Sequence, residues 1–138
     1  SFNAGRALIN YYGHSNYLDW GRVQNIFDTS EFGQITNAGH ESFLTAMTCF
    51  AGGYDYPSSI VSDLLLKSSG GIIGGVGASS ESEASGQVPL NTAFYQSILA
   101  GQSVGDALRA GYRATPDHDV QLQFNLLGDP ALHVDLGQ

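Results

Sequence analysis

The chain has 138 residues, the length of one domain with an apolar core, and a formal net charge of −8 from 13 acidic and 5 basic side chains. Nucleic acid and anionic membrane are poor partners for it, because neutralising phosphates requires Lys and Arg, whereas a basic peptide suits the charge. The single cysteine excludes an internal disulfide, and a composition rich in Gly, Ser, Asn and Tyr favours a secreted or cell-surface origin.

The first predicted element is a buried strand over residues 7–13, which ends at His14. It is a short apolar run bounded by turn residues, a pattern typical of strands in parallel α/β sheets. Because the strand follows Ser1 so closely, we expect its outer edge to be covered by a missing N-terminal part of the domain. That part would be held as a separate chain or would be a removed subdomain.

A helix is predicted next, from Gly21 to Thr29, because apolar residues recur there at helical spacing. The second strand covers residues 43–48 and ends at Cys49. In the helix that follows, Pro57 suits the first turn, with Asp55 or Tyr56 as the cap.

The Gly-rich run over residues 72–77 predicts a third strand, followed by a polar loop up to Gly86. Apolar spacing and capping residues then predict two helices, one through Leu90, Phe94 and Ile98 that stops at Gly101, and one that opens at Ser103 with Asp106 in a variant of the capping box. The turn over residues 128–130 is expected to lead into a last strand. Strands and helices alternate throughout, which predicts a doubly wound α/β architecture.

His14 and Cys49 are the candidate functional residues, because each ends a predicted buried strand. The carboxyl ends of neighbouring parallel strands open on one crevice, where ligands of such sheets bind. A thiolate is a strong nucleophile, and an imidazole can protonate a departing amine at neutral pH. The pair is therefore what a cysteine-histidine hydrolase needs.

Other chemistries are weaker interpretations of this sequence. The other histidines, His40, His118 and His133, are too scattered for a metal site, and no cofactor is expected. Asp117 and Asp119 could bind a structural calcium ion, but we favour the interpretation that they are solvated turn residues. The segment over residues 75–80 lacks the third glycine of a dinucleotide fingerprint and has no following helix where one should open.

Several segments carry a resemblance to a known family. They are Tyr12-Gly13-His14, Thr48-Cys49-Phe50-Ala51-Gly52-Gly53-Tyr54-Asp55, the strand and loop from Gly71 to Ser79, and Leu126-Leu127-Gly128-Asp129-Pro130. In order and spacing they resemble the gingipain family of cysteine peptidases in the caspase-like clan. The resemblance implies a caspase-like, Rossmann-like three-layer α/β sandwich with a mostly parallel sheet. It also implies that residues 1–138 form a single catalytic subdomain, the second half of the domain, in a larger bacterial protein.

The resemblance assigns the catalytic roles. It makes Cys49 the nucleophile and His14 its acid-base partner, so that peptide bonds are hydrolysed through a thioester. The backbone N–H groups of Cys49 and Ser15 would hold the oxyanion. Most relatives have glycine after the histidine, and Ser15 would disfavour a positive φ that glycine tolerates.

Substrate recognition is the less defined part of this prediction. Gingipain-type enzymes cleave after Arg or Lys, and much of that pocket is expected upstream of this chain. Glu81 and Glu83 follow the Gly-rich strand and could attract a basic side chain, while Gly13 and Ser79 are further predicted substrate contacts. The competing hypotheses are a catalytically inactive caspase-like binding or scaffold module and an intracellular regulatory caspase-like domain that cleaves one protein.

Overall fold

The computed structural model describes residues 1–137. Its elements follow the chain as β1 (Leu8–Tyr12), β2 (Asp19–Trp20), β3 (Phe27–Asp28), β4 (Ser42–Met47), α1 (Ile60–Leu65), β5 (Ile72–Ala78), α2 (Ala84–Leu99), α3 (Val104–Ala114), α4 (His118–Gln123) and β6 (Phe124–Leu127). Short 3-10 helices lie at Phe2–Ala4 and Thr29–Gln34. None of the helices in residues 1–137 is both long and apolar enough to cross a membrane.

Four strands form the main sheet in the order β1-β4-β5-β6. The pairs β1–β4 and β4–β5 are parallel, and β6 runs antiparallel to β5. The mostly parallel α/β sheet predicted from the sequence is therefore confirmed. Within the described residues β1 pairs only with β4, so the cover expected over its other side stays a prediction.

The core lies on both faces of the sheet, as the continuous apolar run of β4 predicts. All six residues of β4 are buried, and successive side chains point to opposite faces. Phe43 and Met47 pack with Phe94 of α2 on one face, where α3 also lies. Leu44 packs with Leu64 of α1 on the other face. These are the three layers of the sandwich.

The helix predicted from Gly21 to Thr29 is wrong. Gly21 has φ +116°, Val23 is 99% exposed, and β2 pairs with β3 as an antiparallel hairpin. The ring of Phe27 packs against Trp20 at a centroid distance of 5.1 Å. Packing of these aromatic rings therefore overrides the helical spacing of the apolar residues.

Two further boundaries differ from prediction. The helix near Pro57 begins only at Ile60, because Ser59, rather than Asp55 or Tyr56, accepts the hydrogen bond that caps it. The last strand, β6, precedes the turn at Gly128 instead of following it. By contrast, Ser103 caps α3 as predicted: its hydroxyl oxygen accepts the N–H of Asp106 at 3.2 Å.

Candidate active site

The register of two parallel strands brings His14 and Cys49 to the same end of the sheet. Tyr12 lies opposite Met47, and the Gly13 N–H donates to the Met47 carbonyl at 3.3 Å. Each candidate residue follows the last paired residue of its strand by two positions. Both line one open cavity of about 830 Å³.

The cavity is built from four segments of the chain. They are the stretch from His14 to Arg22, the turn at Cys49 and Phe50, the loop between β5 and α2, and the region of α4. Three of these segments follow the carboxyl ends of parallel strands, where open α/β sheets bind their ligands.

The backbone at His14 is held in place by Tyr11. The Tyr11 hydroxyl donates to the His14 carbonyl at 2.7 Å, and the N–H of Gly21 donates to the same oxygen at 2.7 Å. The Tyr11 ring stacks on Trp20 at a centroid distance of 4.2 Å. Burial raises the pKa of the Tyr11 phenol, so the hydroxyl keeps its proton at neutral pH. The imidazole of His14 itself is exposed to the cavity.

The thiol of Cys49 is half-buried and faces the loop between β5 and α2. The N–H of Ser82 donates to Sγ at 3.5 Å, and the carbonyl of Ser82 lies 3.7 Å from Sγ. The Ser15 hydroxyl donates to the Cys49 carbonyl and so ties the two strand ends together across the cavity.

The residue after Cys49 has a strained backbone. Phe50 has φ 57°, a left-handed conformation that a bulky side chain adopts rarely and that is often found at functional sites. Its N–H donates to the Ser80 carbonyl at 3.1 Å. The chain then passes so close to β5 at Gly52 that a Cβ there would lie 2.6 Å from the Gly77 carbonyl. The thiol therefore sits on a tight turn that the sheet supports.

The two predicted oxyanion donors, the N–H groups of Ser15 and Cys49, lie in unstrained backbone. Phe50 is the one non-glycine residue with positive φ in residues 1–137, so Ser15 adopts its conformation without left-handed strain. Within the same residues, the N–H groups of Ser15 and Cys49 donate to no protein acceptor. Both donors are thus free for a ligand.

The cavity wall is strongly acidic. Arg22 contributes the one guanidinium, against five carboxylates from Asp19, Glu81, Glu83, Asp117 and Asp119. Two of these carboxylates are engaged, because Asp19 accepts the Asn16 amide at 2.6 Å and Asp117 caps α4. Glu81, Glu83 and Asp119 are exposed. A cationic side chain would be attracted to this wall.

The remaining sequence-predicted residues lie elsewhere. Gly13 and Ser79 are outside the cavity lining, and the N–H and hydroxyl of Ser79 both donate to the Gln123 carbonyl. His40 and His133 are also outside it. In residues 1–137 no group of three or more His, Cys, Asp or Glu side chains could hold a metal ion.

Ser82 is the main site residue that sequence reasoning missed. It is one of three serines in the loop between β5 and α2, at positions 79, 80 and 82, and no motif distinguishes it from the others. Its contact with Cys49 depends on how the loop folds across the sheet, which no local pattern reveals.

Comparisons with known proteins show the family and the fold of the chain. The sequence model of peptidase family C25 matches residues 1–135. Among solved structures, the chain is similar to the Arg-specific cysteine proteinase gingipain R (RgpB), with 22% identity over 96% of this chain and 34% of that one, and a TM-score of 0.79. It is also similar to a complex of the Porphyromonas gingivalis RgpB pro- and mature domains, with 22% identity, coverage of 96% and 35%, and a TM-score of 0.85.

A third structure, described as a protease, is 16% identical, with coverage of 96% and 36% and a TM-score of 0.81. These three likenesses show a shared fold. The chain spans about a third of the length of the solved chains it matches. No curated protein matches it.

Proposed function

The chain belongs to peptidase family C25, and we propose that it carries the catalytic dyad of a cysteine endopeptidase, with Cys49 as nucleophile and His14 as acid-base partner. The observation that supports this most is the placement of both residues on one cavity by two adjacent parallel strands. A cysteine alone at a strand end is usually a buried packing residue. The half-buried Cys49 instead faces a cavity that also holds an imidazole.

The reaction proposed for this site proceeds in two stages. His14 takes the proton of the Cys49 thiol, and the thiolate attacks the scissile carbonyl. The oxyanion that forms accepts hydrogen bonds from the N–H groups of Cys49 and Ser15. His14 then gives its proton to the departing amine, which leaves a thioester on Cys49. Water, deprotonated by His14, hydrolyses the thioester and restores the thiol.

We further propose that cleavage follows basic residues. The matched gingipain R is described as Arg-specific, and the cavity of this chain is lined by five carboxylates against one guanidinium. Glu81 and Glu83 are exposed on the loop beside Cys49 and are the carboxylates best placed for a cationic side chain. Gly13 and Ser79 stay predicted substrate contacts, although the cavity lining does not include them.

The partner and location belong to the same proposal. β1 pairs on one side alone within the described residues, and the solved relatives are about three times as long as this chain. We propose that an N-terminal part of the domain, in the same polypeptide or as a separate chain, completes the enzyme. A secreted or cell-surface bacterial peptidase would suit both the composition and the family.

Active-site labelling tests the proposal directly. The intact protein is treated with peptidyl chloromethyl ketones ending in Arg, Lys or Asp, and its mass is measured. We expect a single adduct on Cys49 from the Arg- and Lys-ended reagents. Cys49→Ala should remove the adduct and keep the fold, and His14→Ala should slow adduct formation by at least about a hundredfold. A folded wild-type protein that includes the N-terminal part and still takes up none of the reagents would instead indicate the inactive binding or scaffold module.

A further inference from the structure

Gln87 is a buried polar side chain next to the cavity. It lies in the first turn of α2 and is 3% exposed. A buried carboxamide is unfavourable unless its groups are hydrogen-bonded. Its Nε2 donates to two oxygens of Ser82, the hydroxyl at 2.5 Å and the carbonyl at 3.3 Å.

Ser82 connects this amide to the thiol. Its N–H donates to Sγ of Cys49 at 3.5 Å, and its carbonyl lies 3.7 Å from the same atom. We propose that Gln87 is a positioning residue: by holding the side chain and the carbonyl of Ser82, it keeps this residue oriented so that its N–H stays directed at the sulfur during the reaction. The inference rests on the proposed function, because it takes Cys49 to be the nucleophile.

The contact between the Ser82 N–H and Sγ matters most when the thiol loses its proton. When His14 takes the thiol proton, a full negative charge forms on Sγ, and a hydrogen bond from an N–H to a charged acceptor is stronger than one to a neutral acceptor. In the neutral state the thiol donates to the Ser82 carbonyl, and ionisation ends that bond while it strengthens the one from the Ser82 N–H. Holding the N–H at the sulfur therefore favours the thiolate that attacks the substrate. Gln87 exchanges no proton and forms no covalent bond in this step.

The Ser82 end of the loop depends on this amide. Two other hydrogen bonds hold this loop before Ser82. The Ser80 carbonyl accepts the N–H of Phe50 in the Cys49 turn, and the Ser79 N–H donates to the carbonyl of Gln123 in α4. On the other side of Ser82, the Tyr12 hydroxyl donates to the Ala84 carbonyl at 3.0 Å. None of these contacts is made by Ser82 itself, so without the amide Ser82 could rotate away from the sulfur. A donor that grips both oxygens of Ser82 prevents that rotation.

The position of Gln87 is itself fixed by close packing. A Cβ on the preceding residue, Gly86, would lie 2.7 Å from Cγ2 of Val120 and 2.8 Å from Cβ of Asp117. The first turns of α2 and α4 are thus in direct contact, and α2 cannot slide along its neighbour without a clash. Sites held by such rigid elements keep their geometry better than sites held by loops alone.

The test compares two substitutions on α2 in the intact protein. Gln87→Met keeps the side-chain volume and removes both hydrogen bonds to Ser82. Tyr95→Phe is the matched control, because it removes one hydrogen bond, to Thr45 at 2.6 Å, on the same helix and outside the cavity lining. The readout is the rate of Cys49 alkylation by iodoacetamide at pH 7, together with thermal unfolding.

We expect Gln87→Met to slow alkylation about fivefold, the scale of one ordinary hydrogen bond, because it weakens the Ser82 N–H contact to the sulfur without removing it. Tyr95→Phe should stay within about twofold of wild type. With an Arg-ended chloromethyl ketone, the maximal inactivation rate should fall and the half-saturating concentration should stay unchanged. A side chain that merely stabilises the fold would lower the melting temperature without producing this difference.

Three results would overturn the inference. The first is a folded Gln87→Met protein whose Cys49 is alkylated at the wild-type rate. The second is an effect of Gln87→Met on the half-saturating concentration of the chloromethyl ketone alone, which would make Gln87 part of the substrate pocket. If Gln87→Met does not fold, Ser82→Ala is the deciding variant, because it removes the 2.5 Å contact between Gln87 and the Ser82 hydroxyl and keeps the N–H at position 82. An unchanged alkylation rate in Ser82→Ala is the third result. Iodoacetamide reacts whether or not peptides are cleaved, so failure of the proposed function remains distinguishable.

Discussion

Single residues determine where the imidazole lies. Tyr11 folds back so that its hydroxyl reaches the His14 carbonyl at 2.7 Å, and this leaves no space above Gly13. A Cβ on Gly13 would lie 2.7 Å from the Tyr11 hydroxyl oxygen and 3.0 Å from Cζ. Glycine is therefore needed before the histidine because the Tyr11 side chain leaves no room for a Cβ. Its backbone conformation does not require glycine, since its φ is not in the left-handed region.

Gly13→Ala is expected to displace the Tyr11 hydroxyl and with it the backbone at His14. A shift of about 1 Å at a catalytic group can reduce a rate by up to about a hundredfold, and we expect at least about a tenfold loss in labelling by an Arg-ended chloromethyl ketone. Gly33→Ala is the control, since a Cβ there meets nothing within 4 Å. Equal labelling of the two variants would show that Tyr11 does not position His14.

At this scale the sequence predicted five residues that the structure brings to one cavity and missed Ser82 and Gln87; the five are His14, Cys49, Ser15, Glu81 and Glu83. His14 and Cys49 stand out because each directly ends an apolar run, and the ends of buried strands are visible in sequence. Ser82 and Gln87 are five residues apart on a loop and a helix. Ser82 contacts Cys49, and Gln87 contacts Ser82, only because the chain folds over the end of the sheet between β5 and α2. Contacts of that kind depend on the tertiary fold rather than on local spacing.

At the level of elements, capping residues and periodicity each gave right and wrong predictions, since the caps predicted at Asp55 or Tyr56 were wrong and the helix through Leu90, Phe94 and Ile98 formed. Ser103 was correctly predicted to open α3, because its hydroxyl satisfies the N–H of Asp106 whatever surrounds the helix. Periodicity failed between Gly21 and Thr29, where the spacing of Val23 suggested one face of a helix and Val23 proved fully exposed. A hairpin of two-residue strands is held by side-chain packing, and so has no periodic signature of its own.

Ser103→Ala tests the capping residue. Loss of the bond to Asp106 should lower the free energy of unfolding by about 1 kcal/mol, measured as a lower urea midpoint with an unchanged slope. Thr92→Ala is the control, because that exposed hydroxyl bonds only to the Val88 carbonyl of its own helix. Ser103 is outside the cavity lining, so labelling of Cys49 should be unaffected; a matching loss of labelling would mean that α3 supports the site.

At the scale of the whole molecule, charge and fold act on the same cavity. The formal net charge is −8, and acidic side chains from three separate segments of the chain line the space beside Cys49. A cleft lined by one sign of charge concentrates ligands of the opposite sign, and exposed charges act over about 30 Å at 0.01 M salt but only about 8 Å at 0.15 M. The composition alone predicted an attraction for basic peptides. That the acidic side chains from separate segments meet at this cavity could be seen only from the fold.

The rate of labelling by an Arg-ended chloromethyl ketone should therefore fall as salt rises, by roughly tenfold between about 0.01 M and 0.3 M NaCl. Alkylation by uncharged iodoacetamide should not change over that range. Replacing Glu81 and Glu83 by Gln should flatten the salt dependence for the cationic reagent. The matched pair Asp55→Asn and Asp135→Asn removes the same charge outside the cavity lining, and it should leave most of that dependence intact. If both double variants flatten it equally, the attraction belongs to the net charge of the molecule and not to the cavity.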